Sequence, residues 1–285
     1  VAVVSWWRSA PSEETTWLLL DMAYRYGIKI AFHMEPAAGR SAMTLPDDVA
    51  GLIKRYGSHP AFFRTTDQSL WLKNSKPKPI FFVWSTVVPA NGQDFVNSDY
   101  WASALDDIHS HSNALMISTP GMQGYADVVL NGHFDGAYNY ITIHLKEEGG
   151  FDWSKAMPPG SLYIPSVAPG NHAVRVHYPD STLMERRDGA NYDEQWTAAL
   201  HTGIKPDFVT ITSFNEWHEG SMIEPPRANF TSSSGRKYLD FGSLAPTYYL
   251  DATNRWAATY LSGDFPQPTL RSIRARRSPA SCCWA

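Results

Sequence analysis

The chain predicts an α/β protein of the (β/α)8 barrel class, and three observations carry that expectation. Short apolar runs alternate with amphipathic helical stretches, the pattern of a parallel sheet with helices outside. Polar and aromatic residues gather where those runs end, at Trp7, Glu35, Ser85, Tyr138 and Glu216. A barrel places its site on that edge, whereas an open doubly wound sheet collects ligands at one switch point. The 285 residues, 43% of them hydrophobic, also suffice for one large core.

Taken in order, the first strand is Val1 to Trp7, followed by a helix from Glu13 to Tyr26. Acids in its first turn and Gly27 beyond its end mark its limits, and Trp17, Leu20, Ala23 and Tyr24 are its apolar positions. The second strand, Lys29 to Glu35, ends in His33 and Glu35 before Pro36. A helix from Pro46 to Tyr56 precedes the third strand, Ile80 to Ser85. Asp99 to Ser110 is helical, Ala114 to Ser118 is the fourth strand, and a helical turn spans Gly121 to Leu130. The fifth strand is Phe134 to Thr142, the sixth Ser161 to Val167 and the seventh Asp207 to Phe214, with a helix from Tyr192 to Thr202 between the last two. Ala252 to Tyr260 closes the pattern as a helix.

An eighth strand is expected before Val1, since the chain starts inside a strand-like run with no initiating Met and reads as processed or truncated. The expected division is a catalytic barrel over 1–261 and a loosely structured basic tail over 262–285, where Arg271, Arg274, Arg276 and Arg277 lack an apolar period.

Several function classes lack their equipment. A net charge of −4 provides no basic footprint for nucleic acid. No apolar run reaches the roughly 18 residues that a membrane helix needs. The only cysteines, Cys282 and Cys283, are adjacent, which excludes a disulfide framework or a zinc-ligand spacing. A Gly-x-Ser-x-Gly elbow, a P-loop and a Rossmann fingerprint are absent. The sequon Asn229-Phe230-Thr231 permits glycosylation on a secretory route.

Chemistry concentrates at Asn215-Glu216-Trp217-His218-Glu219, where the seventh strand, read as buried, should end. Carboxylates three residues apart would face opposite sides of a continuing strand. A turn near Trp217, compatible with Gly220, brings them to one side, as i and i+3 stand on a helical turn. Two carboxyl groups in one cleft beside a Trp can divide acid and base roles in glycoside hydrolysis. The same residues also suit a solvated surface turn. His33 and Glu35 alternate on one strand and share a face; they read equally as a buried histidine satisfied by a carboxylate. Trp7 reads as a sugar platform or a core filler.

The run Ile-Thr-Ser-Phe-Asn-Glu-Trp-His-Glu-Gly-Ser-Met-Ile-Glu-Pro (211–225) resembles the signature of glycoside hydrolase family 99, the endo-α-1,2-mannosidases and endo-α-1,2-mannanases. Val-Val-Ser-Trp-Trp (3–7), Phe-His-Met-Glu-Pro (32–36), Tyr-Gly-Ser-His-Pro-Ala-Phe (56–62), Phe-Asp-Gly-Ala-Tyr-Asn-Tyr (134–140) and Ile-Pro-Ser-Val-Ala-Pro-Gly (164–170) are similar to its other landmarks, in family order. The resemblance implies a (β/α)8 barrel, retaining chemistry through a 1,2-anhydro sugar, and no metal or other cofactor. It implies Glu216 as the base on the sugar 2-hydroxyl and Glu219 as the acid and later the base on water. Trp7, His33, Glu35, Tyr138, Tyr140, Arg175, Asn215, Trp217 and His218 become candidates for substrate contact. Where the family carries Pro-Trp after the arginine at 175, this chain has Val176-His177-Tyr178. The implied partner is an oligosaccharide or a glycoprotein N-glycan, met by a monomer in the Golgi lumen, or in a secreted or periplasmic setting if bacterial. Fungal-type mannan, or sugar binding without turnover, is the alternative role.

Overall fold

The structure is a computed structural model, and it describes residues 1–65, 76–86, 97–119, 125–140, 158–173, 183–201, 205–233, 235, 237–263 and 265. The chain divides into two compact units, residues 1–167 with 206–212, and residues 168–205 with 213 onward.

The first unit is built on β1 (Ala2–Trp6), β2 (Ile30–Met34), β3 (Ile80–Trp84), β4 (Leu115–Thr119), β5 (Gly136–Tyr138) and β6 (Leu162–Ile164). These form one sheet in that order, every pair parallel. Pro165, which has no N–H to give a ladder, separates β6 from β7 (Ser166–Val167). Beyond it the parallel pairing resumes with β10 (Thr210–Ile211), as Thr210 N donates to Pro165 O at 3.0 Å and Thr212 N to Val167 O at 2.9 Å. The ladder thus runs in sequence order without the reversal of a doubly wound sheet.

Side chains alternate across the sheet, and both faces are apolar, as a parallel sheet requires. On one face Phe32, Met34, Phe81, Val83, Met116 and Ala137 pack with Leu20 and Ala23 of α1 (Glu13–Arg25), Leu45, Val49, Leu52 and Tyr56 of α2 (Leu45–Tyr56), and Leu105 of α3 (Ala102–Asp107). The other face carries Ala31, Ile80, Phe82, Leu115, Ile117, Tyr138, Leu162 and Ile164. Full burial of each large apolar side chain contributes roughly 1.5–3 kcal/mol, so truncating Phe32 alone would cost about 3–5 kcal/mol.

The helices start where their signals stand. The Ser12 side chain accepts from Thr15 N and caps α1, with Glu13 and Glu14 in the first turn. In α2, Pro46 opens the first turn, Asp47 and Asp48 follow, and Lys54 and Arg55 stand in the last. The expected helix at 99–110 is a 3₁₀ turn (Ser98–Trp101), then α3, then a π turn (Ile108–Ser112). Next comes α4, Tyr125–Leu130. No helix among the described residues is long and apolar enough to cross a membrane.

Strand register is pinned by two carboxylates just ahead of strands. Asp135 accepts Met116 N at 2.8 Å and His109 Nε2 at 2.9 Å, and Asp207 accepts Tyr163 N at 2.9 Å. At Gly136 a Cβ would lie 2.7 Å from both Cβ and O of Leu162, so the approach of β5 to β6 admits only glycine.

In the second unit β8 (Asn171–His172) and β9 (Leu183–Met184) pair antiparallel, while α5 (Ala190–Leu200) and α6 (Tyr248–Ser262) pack together. Trp196 and Trp256 stack with ring centroids 6.0 Å apart, and Trp256 Nε1 donates to Asp193 Oδ1 at 2.7 Å.

Three expectations are corrected. The seventh strand spans only Thr210–Ile211 rather than 207–214, with Phe208, Val209 and Ile211 half-buried and Phe214 55% exposed. Its ladder has one side only among the described residues, and from Ser213 onward the backbone pairs with Ser221 and Ile223 instead. The fifth strand is limited to Gly136–Tyr138 among the described residues, because Asn139 and Tyr140 have left the ladder. In α1 the buried stripe is Thr16, Leu20 and Ala23, with Trp17 half-buried. Tyr24 is exposed and meets His59 edge-on. The 141–142 end of the fifth strand and the basic tail from 266, with Cys282 and Cys283, lie outside the described residues.

The hydrogen bond that His109 donates to Asp135 raises the His109 imidazole above its usual value. A raised folded value stabilises the fold below the ordinary histidine value of about 6.5, and this is lost as the pH rises through the folded value. Thermal unfolding followed from pH 6 to 8 should therefore show a falling midpoint that His109→Gln flattens. Asp135→Ala, which strands the Met116 N–H, should cost about 1–3 kcal/mol.

Candidate active site

In the first unit the strand ends bring three expected residues into one network. Residues 33 and 35 point the same way, and His33 Nδ1 lies 2.7 Å from Glu35 Oε1. Ser5 Oγ, from β1, donates to the same oxygen at 2.7 Å. On the other side of the ring, His33 Nε2 lies 2.5 Å from the Tyr138 hydroxyl. All three side chains of this chain, Glu35, His33 and Tyr138, are buried.

The tautomer with its proton on Nδ1 satisfies every bond at once. His33 then donates to Glu35 and accepts from Tyr138. Burial pushes the Tyr138 hydroxyl well above the usual tyrosine value, which keeps it a donor. Glu35 Oε2 takes no part in these bonds. Aromatic rings surround the network: Trp84 lies 5.7 Å from His33 and meets Tyr140 edge-on at 5.0 Å.

A cation closes this edge. Arg40 is buried, and its Nη1 donates to Met34 O at 3.0 Å and Trp84 O at 2.6 Å, its Nη2 to Ser85 O at 3.3 Å. These carbonyls lie where β2 and β3 run out. Burial pushes Arg40 down to about 10, with the Glu35 charge opposing, so it remains a cation at neutral pH. Trp7 stands just past β1 with 43% of its surface exposed.

In the second unit Glu216 and Glu219 sit on a closed loop. Trp217–Gly220 is a turn, with Gly220 N donating to Trp217 O at 3.2 Å. The loop is tied at its base, where Ser213 N donates to Ser221 O and Ile223 N to Ser213 O, each at 3.0 Å. Ser213 Oγ accepts Glu216 N at 2.9 Å and lies 3.1 Å from Ser221 Oγ. Glu216 and Glu219 are both half-buried, and Glu219 O accepts His172 N at 2.7 Å. The backbone therefore turns at Trp217–Gly220, after the strand has ended at Ile211.

Asn215, Trp217 and His218 are exposed on that loop. The Trp217 indole is held in place by Nε1 donating to Glu224 Oε2 at 3.0 Å, and His218 Nδ1 lies 3.2 Å from the Tyr238 hydroxyl. Arg175 lies outside the described residues.

Sequence reasoning missed Ser5, Arg40, Trp84, Glu224 and Tyr238. Arg40 had a local signal, as an arginine five residues after Glu35 in a Gly-containing loop. Glu224 and Tyr238 had none, because their partners are set by the folded loop.

The chain as a whole is similar to known proteins. A family model described as glycosyl hydrolase family 99 matches residues 1–262. A zebrafish (Danio rerio) protein named glycoprotein endo-alpha-1,2-mannosidase-like protein is 32% identical over 278 residues, covering 90% of this chain and 59% of that one. The Xenopus laevis glycoprotein endo-alpha-1,2-mannosidase is 30% identical, covering 92% of this chain and 59% of that one. The chain thus spans about three-fifths of the length of these relatives. Among solved structures, the family 99 endo-alpha-mannosidase from Bacteroides thetaiotaomicron superposes with a TM-score of 0.74 at 30% identity, over 93% of this chain and 76% of that one. With a match that runs through both the His33 network and the Glu216–Glu219 loop, the chain belongs to glycosyl hydrolase family 99.

Proposed function

We propose that this chain is the catalytic domain, over residues 1–261, of a retaining endo-acting glycoside hydrolase. It cleaves an internal α-1,2-mannosidic bond of a glucosylated high-mannose N-glycan. The observation that carries this reading is the closed 213–224 loop, which carries Glu216 and Glu219 three residues apart in sequence on a backbone tied at both ends. The names of the zebrafish and Xenopus relatives support a glycoprotein substrate and, with it, a secretory compartment. The strictly sequential parallel ladder supports a (β/α)8 barrel as the parent architecture.

The proposed chemistry uses the substrate's own 2-hydroxyl. Glu216 takes the proton from O2 as O2 bonds to C1. The C1–leaving-group bond breaks, and the departing oxygen takes its proton from Glu219. Water then opens the 1,2-anhydro ring at C1, giving a proton to Glu219, while O2 recovers its proton from Glu216. Two inversions at C1 return the original configuration, and each carboxyl ends in its starting protonation state. This needs Glu216 ionised and Glu219 neutral at the outset.

Each unit holds proposed sugar contacts of its own. Glu35 Oε2 is the acceptor left for a sugar hydroxyl, in an orientation fixed by Ser5 and His33. Trp7, with an exposed ring face, and Tyr140 are further proposed contacts in the first unit, and Asn215, Trp217, His218 and Arg175 are the proposed contacts of the second. The chain acts as a monomer and needs no metal for these steps.

Incubation with a glucosylated α-1,2-mannooligosaccharide tests the assignment. Glu216→Gln and Glu219→Gln should each lose about 10²–10⁴-fold in kcat with affinity retained, and the first-formed product should keep the α configuration by NMR. Normal turnover by either variant, or binding by the parent without product, would overturn it; faster cleavage of a yeast-type mannan would move the substrate to the mannanase side. Tyr138→Phe, which removes the donor to His33, should lower kcat/KM about tenfold and leave the fold intact.

A further inference from the structure

One arginine of the second unit grips the backbone beside Glu219. Arg186 follows β9, and its Nη2 donates to Gly220 O at 2.9 Å and to Met222 O at 2.6 Å, with Met222 Sδ at 3.4 Å. The guanidinium lies over two rings, 4.9 Å from the Phe241 centroid and 4.7 Å from that of Tyr249. Its Nε and Nη1 are closed off from solvent. This is a cation kept out of water to serve main-chain carbonyls, which is costly unless the geometry it imposes matters.

The loop it holds has little slack. Glu219 O is taken by His172 N of β8, so the carbonyls of residues 219, 220 and 222 are all tied to the β8–β9 hairpin and its exit. Between the two carbonyls bound by Arg186 lies Ser221, whose own carbonyl and hydroxyl meet Ser213 at the loop base. Gly220 has φ +64°, and a Cβ there would lie 2.8 Å from Leu239 Cδ1 and 3.2 Å from His172 Cβ. Backbone direction on leaving Glu219 is therefore set by the left-handed glycine and by the arginine that binds its carbonyl.

We infer that Arg186 is a positioning residue for Glu219, fixing the direction in which that carboxyl leaves the backbone. The inference rests on the reading that Glu216 and Glu219 carry the reaction. Arginine suits this task where lysine does not, because one planar group can lie over the Phe241 and Tyr249 rings while its Nη2 reaches two carbonyls.

The test compares Arg186→Lys, Arg186→Met and Glu219→Gln in the same chain, with Gly220→Ala as a second route to the same carbonyl. Both Arg186 variants and Gly220→Ala should lose about 10–100-fold in kcat per folded molecule, with KM within about threefold. The alkaline limb of the kcat/KM profile, which reports the protonated acid, should move. A structural role alone would lower the thermal midpoint and leave the limb and kcat per folded molecule unchanged, and that result overturns the proposal. If Glu219→Gln is inactive while the Arg186 and Gly220 variants turn over normally, the Arg186 assignment alone falls. If Glu219→Gln itself turns over normally, the role of the carboxylates falls and the Arg186 assignment with it.

Discussion

The parallel backbone ladder taken strictly in sequence order is the constraint from which the rest of the first unit follows. From β1 to β6 each strand hydrogen-bonds to the next one in the chain, so their C-terminal ends arrive at the same edge. Ser5, Glu35 and Tyr138 come from residues far apart in sequence and meet because register puts Ser5 opposite His33 and joins the strands leading to Tyr138. Loss of one rung would displace an entire row of side chains, since a slip by one residue exchanges the two faces of a strand. The carboxylates of Asp135 and Asp207, together with the bare backbone of Gly136, hold that register at the opposite ends of the strands.

Polar groups at this edge are tolerable because they satisfy one another. A buried histidine, carboxylate, phenol and guanidinium would each cost several kcal/mol alone. Linked as Ser5–Glu35–His33–Tyr138, with Arg40 on three carbonyls, the donors find acceptors and the charges face each other. Rigidity results as well as stability. A site fixed in this way orients a ligand without reorganising when it binds.

Much of this was legible from residue types and spacing. Alternation identified the strands, and the pair at 33 and 35 announced a shared face that the 2.7 Å contact realises. The turn after Trp217 was legible too, because Gly220 and the odd spacing of the two acids asked for it. What escaped the sequence depended on neighbours rather than on local pattern. The stretch at 208–214 has the composition of a buried strand, yet a ladder with one partner ends it at Ile211 and leaves Phe214 in water. Tyr24 fits a helical stripe by spacing but falls past the buried arc. The β8–β9 hairpin has only two residues per strand, too few for periodicity to register.

Arg40 has one further implication. Its positive charge and the negative charge of Glu35 offset each other within the protein, so the edge is close to electroneutral before anything arrives. A neutral pyranose then requires no counter-ion to enter or leave with it. In the proposed reading its affinity should therefore vary little with ionic strength.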